Sequence, residues 1–301
     1  MPSNQAMTKN IGIIGLGSIG QRHARNLVEM GHKVWGYDPD LSQPAILGII
    51  RCSTIDAVRN NSEALIIASP SNLHCIHYLE SPNIPTLIEK PIGCVWADLY
   101  QYQFAFRDKY APVMVGCNLR MHNCVKKAKE WLAEGLIGKP LWASFTIAQH
   151  NTKYTDPVIL NWGAHECDLA LYLLGPATVT AAAGNDQIFD MCLLHEYGVP
   201  STVHMDYVAK AERRYFAIIG EAGNLCVSLS QRRIWVERPN GQYDSILEFD
   251  YGSWDQDYKD EMQEFIDRID GKTEGLVGAS GADGLAALEL ILEAQKIAGI
   301  S

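Results

Sequence analysis

"IGIIGLGSIGQRHARNL" (residues 11–27) is an apolar run that stops at a glycine-rich turn and resumes as a helix-like segment. The run has the length and β-branched content of a buried strand, and the turn after it is where a chain reverses into a helix. Gly15, Gly17 and Gly20 stand at GxGxxG spacing, and Ser18 and Ile19 open a segment predicted as helical to residue 30. In that setting each glycine has a task. Gly15 permits the tight turn, Gly17 lets the backbone approach a pyrophosphate, and Gly20 lets helix and strand pack closely. The phosphates would face the helix N-terminus, whose first N–H groups lack partners within the helix.

The flanking sequence keeps the same rhythm. Apolar runs at 32–38, 64–70, 85–90 and 111–117 read as strands, with a short one at 46–50. Segments 53–61, 72–80 and 95–109 read as helices. Alternating strands and helices predict a doubly wound parallel sheet with both faces covered. The second strand ends at Asp38 in "YDPD" (37–40). A carboxylate there accepts hydrogen bonds from ribose hydroxyls and repels a 2′-phosphate, and no arginine sits beside it. NAD is therefore favoured over NADP.

After residue 118 the rhythm changes. A helix over 121–134 and a strand in "LWASFTIAQH" (141–150) precede an apolar helix over 161–174. Six strands then follow closely, at 176–183, 189–196, 201–209, 213–219, 223–229 and 232–238, before helices at 254–270 and 281–299. Strands in succession predict an antiparallel sheet. A chain of 301 residues exceeds the usual size of one core. The expected division is a nucleotide-binding domain over 1–118 and an α+β domain over 119–301.

Composition narrows the function classes. A net charge of −10 argues against a broad nucleic-acid footprint. No apolar run is long enough to span a bilayer, and "MPSNQAMTKN" (1–10) lacks the apolar core of a signal peptide. The eight cysteines contain no CxxC pair and suit a reducing compartment, so a cytoplasmic location is expected. His122, His150, His195 and His204 share no ligand spacing, and no metal site is predicted.

The 161–174 helix carries a polar stripe, Asn161, His165 and Asp168, at i, i+4 and i+7. A satisfied buried helix and an active-site wall both fit that pattern, and the residues alone leave the choice open.

In order along the chain, "GLGSIGQRHARNL", "ASPSNLH" (68–74), "EKP" (89–91), "GCNLRMH" (116–122) and "HECDLALYLLG" (165–175) resemble the Gfo/Idh/MocA oxidoreductases. The resemblance implies a second domain with an open, mostly antiparallel sheet and a final helix, 281–299, that returns to the Rossmann domain. It implies hydride transfer between NAD and a hydroxyl or keto carbon of a sugar, cyclitol or nucleotide-linked sugar, in a homodimer or homotetramer. It makes Lys90 the catalytic lysine, and Ser69, Pro70, Asn72, His74 and Glu89 part of the cofactor wall. His165 matches a family histidine that faces substrate. The family aspartate four residues earlier is replaced by Asn161, which can hydrogen-bond but cannot exchange a proton. Proton transfer is thus expected of Lys90 and His165, with Asn161 positioning groups.

Asn118, Arg120, Tyr154 and Trp162 are further substrate-side candidates. The arginine would grip an anion or form an interdomain ion pair, and the aromatics would stack on a sugar or simply pack. "ERR" (212–214) reads as a solvated strand start rather than a phosphate clamp. The approach to the 161–174 helix is shorter than in many relatives, which cuts back one pocket wall. Two other functions fit these departures: a non-catalytic NAD-binding regulator or scaffold, and an NAD-dependent glycosidase.

Overall fold

The computed structural model describes residues 7–300 apart from 41, 43–45, 82, 109–110, 151–155 and 251–254. The opening apolar run is strand β1 (Asn10–Ile14), and the segment after the glycines is helix α1 (Ser18–Glu29). There follow β2 (Lys33–Tyr37), β3 (Ile49–Arg51), α2 (Ile55–Asn60), β4 (Ala64–Ile67), α3 (His74–Leu79), β5 (Thr86–Glu89), α4 (Trp96–Asp108) and β6 (Val113–Gly116). The second part comprises α5 (Asn123–Ala133), β7 (Pro140–Ala148), α6 (Val158–Asn161), α7 (Gly163–Leu174), β8 (Ala177–Gly184), β9 (Ile188–His195) and β10 (Pro200–Asp206). It continues through β11 (Arg213–Gly220), β12 (Gly223–Ser228), β13 (Arg233–Glu237), β14 (Tyr243–Glu248), α8 (Gln256–Ile269), β15 (Ala279–Ser280) and α9 (Gly281–Ala298).

The first sheet runs β3-β2-β1-β4-β5-β6-β15, parallel except where β15 pairs antiparallel with β6. Strand order reverses between β1 and β4, and this switch point puts a crevice beyond the carboxyl ends of β1, β4 and β5. Alternate residues of β4 serve opposite faces. Leu65 and Ile67 join a core with Tyr78, Leu99, Tyr102, Leu288 and Leu292, while Ile66 joins Leu27, Met262, Phe265 and Ile266.

That second set reports a departure from a simple boundary at residue 118. Helix α8 packs its apolar stripe, Met262, Phe265 and Ile266, against the first sheet beside α1. Helix α9 serves both cores: Leu288 and Leu292 face the first sheet, and Leu290, Ile291 and Ala294 face the second. The reason is spacing, since an apolar helix with two buried stripes can fill the seam between two layers.

The second sheet, β14-β13-β12-β11-β7-β10-β9-β8, is antiparallel except for the β7–β10 pair. One face is covered by α5, α7 and α9; the other leaves Trp142, Leu194 and Tyr215 exposed. Strand β14 was absent from the sequence reading because all six of its residues are exposed, so no buried side marks it. The expected 161–174 helix breaks at Trp162 into α6 and α7.

Candidate active site

A cavity of about 900 Å³ lies at the switch point, closed on its far side by the second part of the chain. Gly15, Gly17, Ser18 and Ile19 line it from the glycine turn, Asp38 from just past β2, Ser69, Pro70 and His74 from after β4, and Glu89 and Lys90 from the end of β5. Asn118, Asn161, Trp162 and His165 close the opposite wall.

The glycine turn fits a dinucleotide. Gly15 has φ +95°, and a Cβ there would meet the backbone of Ala68 and Ser69 at about 2.5 Å. Gly17 has an ordinary φ of −66° but a Cβ on it would enter open space, so its backbone borders the cavity. Helix α1 has no side-chain cap, which leaves its first N–H groups available to phosphate oxygens. Asp38 is held by the N–H groups of Leu16 (2.6 Å) and Asp40 (2.8 Å) on the cavity wall, where its carboxylate could accept from ribose hydroxyls. Gly20 does not line the cavity; it packs directly on the carbonyl of Gly15.

Lys90 emerges where β5 ends, and its amine donates to the backbone carbonyl of Asn161 (3.1 Å) and to Asn161 Oδ1 (2.8 Å). Asn161 Nδ2 in turn donates to the Tyr207 hydroxyl at 2.8 Å. Asn161 is therefore spent on the lysine and not on capping α7, whose N-cap, Trp162, makes no side-chain cap bond. Burial lowers the Lys90 pKa, opposed by the Glu89 charge and reinforced by Arg214. An uncharged partner in Asn161 leaves that depression in place, whereas a carboxylate would counter it.

His165 is buried, and among the described residues its Nδ1 has no hydrogen-bond partner. Burial, with the positive charges of Lys90 and Arg214, holds its pKa well below the usual value, so the ring is neutral at physiological pH. His74 sits between the carbonyls of Pro91 (2.9 Å) and Ser69 (2.7 Å), and ties the loop after β4 to the loop after β5. Behind Lys90, Glu89 meets His23 Nε2 at 2.6 Å and accepts from the Lys90 N–H at 3.2 Å. Burial would raise the Glu89 pKa, but the His23 contact outweighs it and the group is shifted down. Glu261 of α8 lies close to both, with neither carboxyl oxygen partnered among the described residues.

Arg120 and Asn72 stand elsewhere. Arg120 is buried and grips Asp168 with Nε (3.0 Å) and Nη2 (2.6 Å), its guanidinium over the Tyr172 ring, so its fork is occupied within the protein. Asp168 thereby leaves the polar stripe as a structural partner. Asn72 is exposed and does not border the cavity. Tyr154 lies outside the described residues. Sequence reasoning also passed over groups that the fold brings in. Tyr207 supports Asn161 and packs edge-on against Trp162 at 4.4 Å. Arg214, taken above as part of a solvated strand start, points into the cavity, as does Arg22, which lies over Tyr258 at 4.6 Å. Strand parity was the available signal: Arg214 is in phase with buried Phe216 and Ile218, and Tyr207 with buried Val203 and Met205.

Residues 125–226 match the family model of the GFO/IDH/MocA C-terminal domain, and residues 1–89 match that of the D-isomer specific 2-hydroxyacid dehydrogenase NAD binding domain. The structure superposes on a levoglucosan dehydrogenase in complex with NADH with a TM-score of 0.84, covering 97% of this chain and 98% of that one at 19% identity. The second half of the chain is thus similar to the C-terminal domain of the GFO/IDH/MocA proteins. Among curated relatives, inositol 2-dehydrogenase of Rhizobium meliloti is 24% identical over 94% of this chain and 95% of its own. D-apiose dehydrogenase of Paraburkholderia graminis is 25% identical over 54% of this chain. The chain spans about half the length of the latter, 50%. The cavity lies between the first sheet and the helices that cover the second sheet.

Proposed function

We propose that this chain is an NAD-dependent oxidoreductase that moves a hydride between nicotinamide and a hydroxyl or keto carbon of a sugar-like molecule. The observation that carries this reading is one cavity holding both a dinucleotide cradle (Gly15, Gly17, Asp38) and the Lys90 amine, with neutral His165 beside it. Bound NAD supplies the hydride acceptor or donor. Lys90, in its neutral form, takes the hydroxyl proton at Nζ during oxidation, and the ammonium returns it during reduction. A lowered pKa is what lets an amine do this near neutral pH. Asn161 fixes the amine without charging it, and His165, an uncharged ring, positions the substrate hydroxyl by hydrogen bonding. The names of the relatives, which act on inositol and D-apiose, agree with a polyhydroxylated substrate.

The finer assignments rest on the same kind of support. Among the described residues all eight cysteines are free, which suits a cytoplasmic protein. The uncovered face of the second sheet, with exposed Trp142, Leu194 and Tyr215, suits self-association into a homodimer or homotetramer.

The test is to incubate the purified protein with NAD and a panel of sugars, cyclitols and nucleotide sugars, following absorbance of NADH. Net NADH from one class, abolished in Lys90→Ala with NAD affinity retained, is the expected result. Sugar release without NADH would instead identify a glycosidase, and tight NAD binding with neither product a regulator.

A further inference from the structure

Arg214 enters the reading above only through its charge on Lys90 and His165, yet its geometry is that of a ligand-binding group. It is the second residue of β11, on the sheet face covered by helices, and it borders the cavity that holds Lys90 and His165. Among the described residues its Nε and Nη2 have no hydrogen-bond partner and are buried, Nε toward Glu166, while the quarter of the side chain that remains open meets the cavity. Buried guanidinium donors are rarely left unpaired, because desolvating them without compensation is costly. The facing carboxyl, Glu166 of α7, stands 3.7 Å from Nε, beyond hydrogen-bond reach, with its own Oε1 unpartnered. Burial raises the Glu166 pKa to about 7, so it compensates the arginine only in part at neutral pH.

The contrast with Arg120 is informative. That arginine is fully engaged by Asp168 at hydrogen-bond distance; Arg214 has the same planar fork but only a loose ion pair, 3.7 Å from Nε to Glu166. The cavity as a whole is not an anion trap, since Asp156 and Glu212 also border it. Any preference for negative charge is therefore local to the guanidinium.

We propose that Arg214 anchors an oxyanion of the substrate, and that the substrate is a sugar bearing a carboxylate or a phosphate. This rests on the sugar-oxidoreductase reading and specifies its substrate class. A planar guanidinium and an oxyanion pair through two parallel N–H···O bonds, which fixes the substrate's orientation as well as its affinity. The reacting hydroxyl would then be set toward Lys90 from the charged end of the molecule.

The test is calorimetric binding to the NAD-saturated protein, which needs no turnover. Glucuronate, galacturonate and glucose 6-phosphate are compared with glucose and galactose. At least one acidic sugar should bind the wild type about 10- to 100-fold more tightly than its neutral counterpart, the range of a charge-assisted pair. Tight uronates point to a carboxylate substrate, and a tight sugar phosphate to a phosphorylated one. Arg214→Gln should erase the preference while leaving NAD and neutral-sugar affinity within about twofold. Its fold should persist, because Glu166 can take up a proton when the arginine is removed. Arg214→Lys should retain part of the preference, having the charge without the fork. Equal binding of acidic and neutral sugars, or a preference that survives Arg214→Gln, overturns the assignment and leaves the oxidoreductase reading standing. Failure of every sugar to bind overturns both.

Discussion

Asn161→Asp puts a negative charge where the Lys90 amine now has a neutral acceptor at 2.8 Å. With an effective dielectric constant of about 20, Coulomb's law gives about 6 kcal/mol between unit charges at that separation. Each pH unit corresponds to about 1.4 kcal/mol, so the ceiling is about four pH units. The new carboxylate must itself be desolvated, and measured carboxylate–cation pairs displace titrations by about one to three units. The sign follows directly: a nearby anion favours the ammonium, so the amine loses its proton at higher pH. In the oxidising direction the neutral amine is the active form. The rising limb of kcat/KM against pH should therefore move up by about one to three units, with the high-pH plateau retained. A pH series of initial NADH formation on wild type and variant, under saturating NAD, measures this. A limb that stays within about half a unit of the wild type would refute Lys90 as the titrating base or Asn161 as its partner.

Gly17→Val adds a side chain into open space at an ordinary φ, so thermal unfolding of the cofactor-free protein should be unchanged within about 0.5 kcal/mol. NAD affinity, measured by fluorescence titration, should fall at least about tenfold because the side chain occupies the phosphate approach; equal affinity would place the pyrophosphate elsewhere. Arg120→Met should cost about 3–5 kcal/mol in urea unfolding by leaving buried Asp168 uncompensated. The double variant Arg120→Met/Asp168→Leu should recover most of that loss, and a single-variant loss below about 1 kcal/mol would make the pair incidental.

Local features of this chain were readable where a single segment contains the whole signal. The strand–glycine–helix unit at 11–27 needs only its own residues, and Lys90 was marked by the resemblance of "EKP" (89–91) to a family motif. The partition of the polar stripe was not readable, because it depends on partners 48 and 71 positions away: Asp168 goes to Arg120, and Asn161 to Lys90. Helix α8 was seen as a helix, but its apolar stripe does not say which of two sheets it covers. Strand β14 lacks a buried side, so periodicity had nothing to detect. Arg214 was misread by its charge, although its parity with Phe216 and Ile218 placed it inward. In each case the missing information is tertiary: a partner, not a propensity.

The packing of α8 onto the first sheet bears on how this molecule is made. One flank of the nucleotide half is roofed by residues synthesised well over a hundred positions after its last parallel strand. During translation Ile66, Leu87 and Met114 must wait, their hydrocarbon facing water or a chaperone, until Met262 and Phe265 leave the ribosome. Cutting the gene after codon 118 would therefore yield a sticky fragment instead of a free-standing cofactor module.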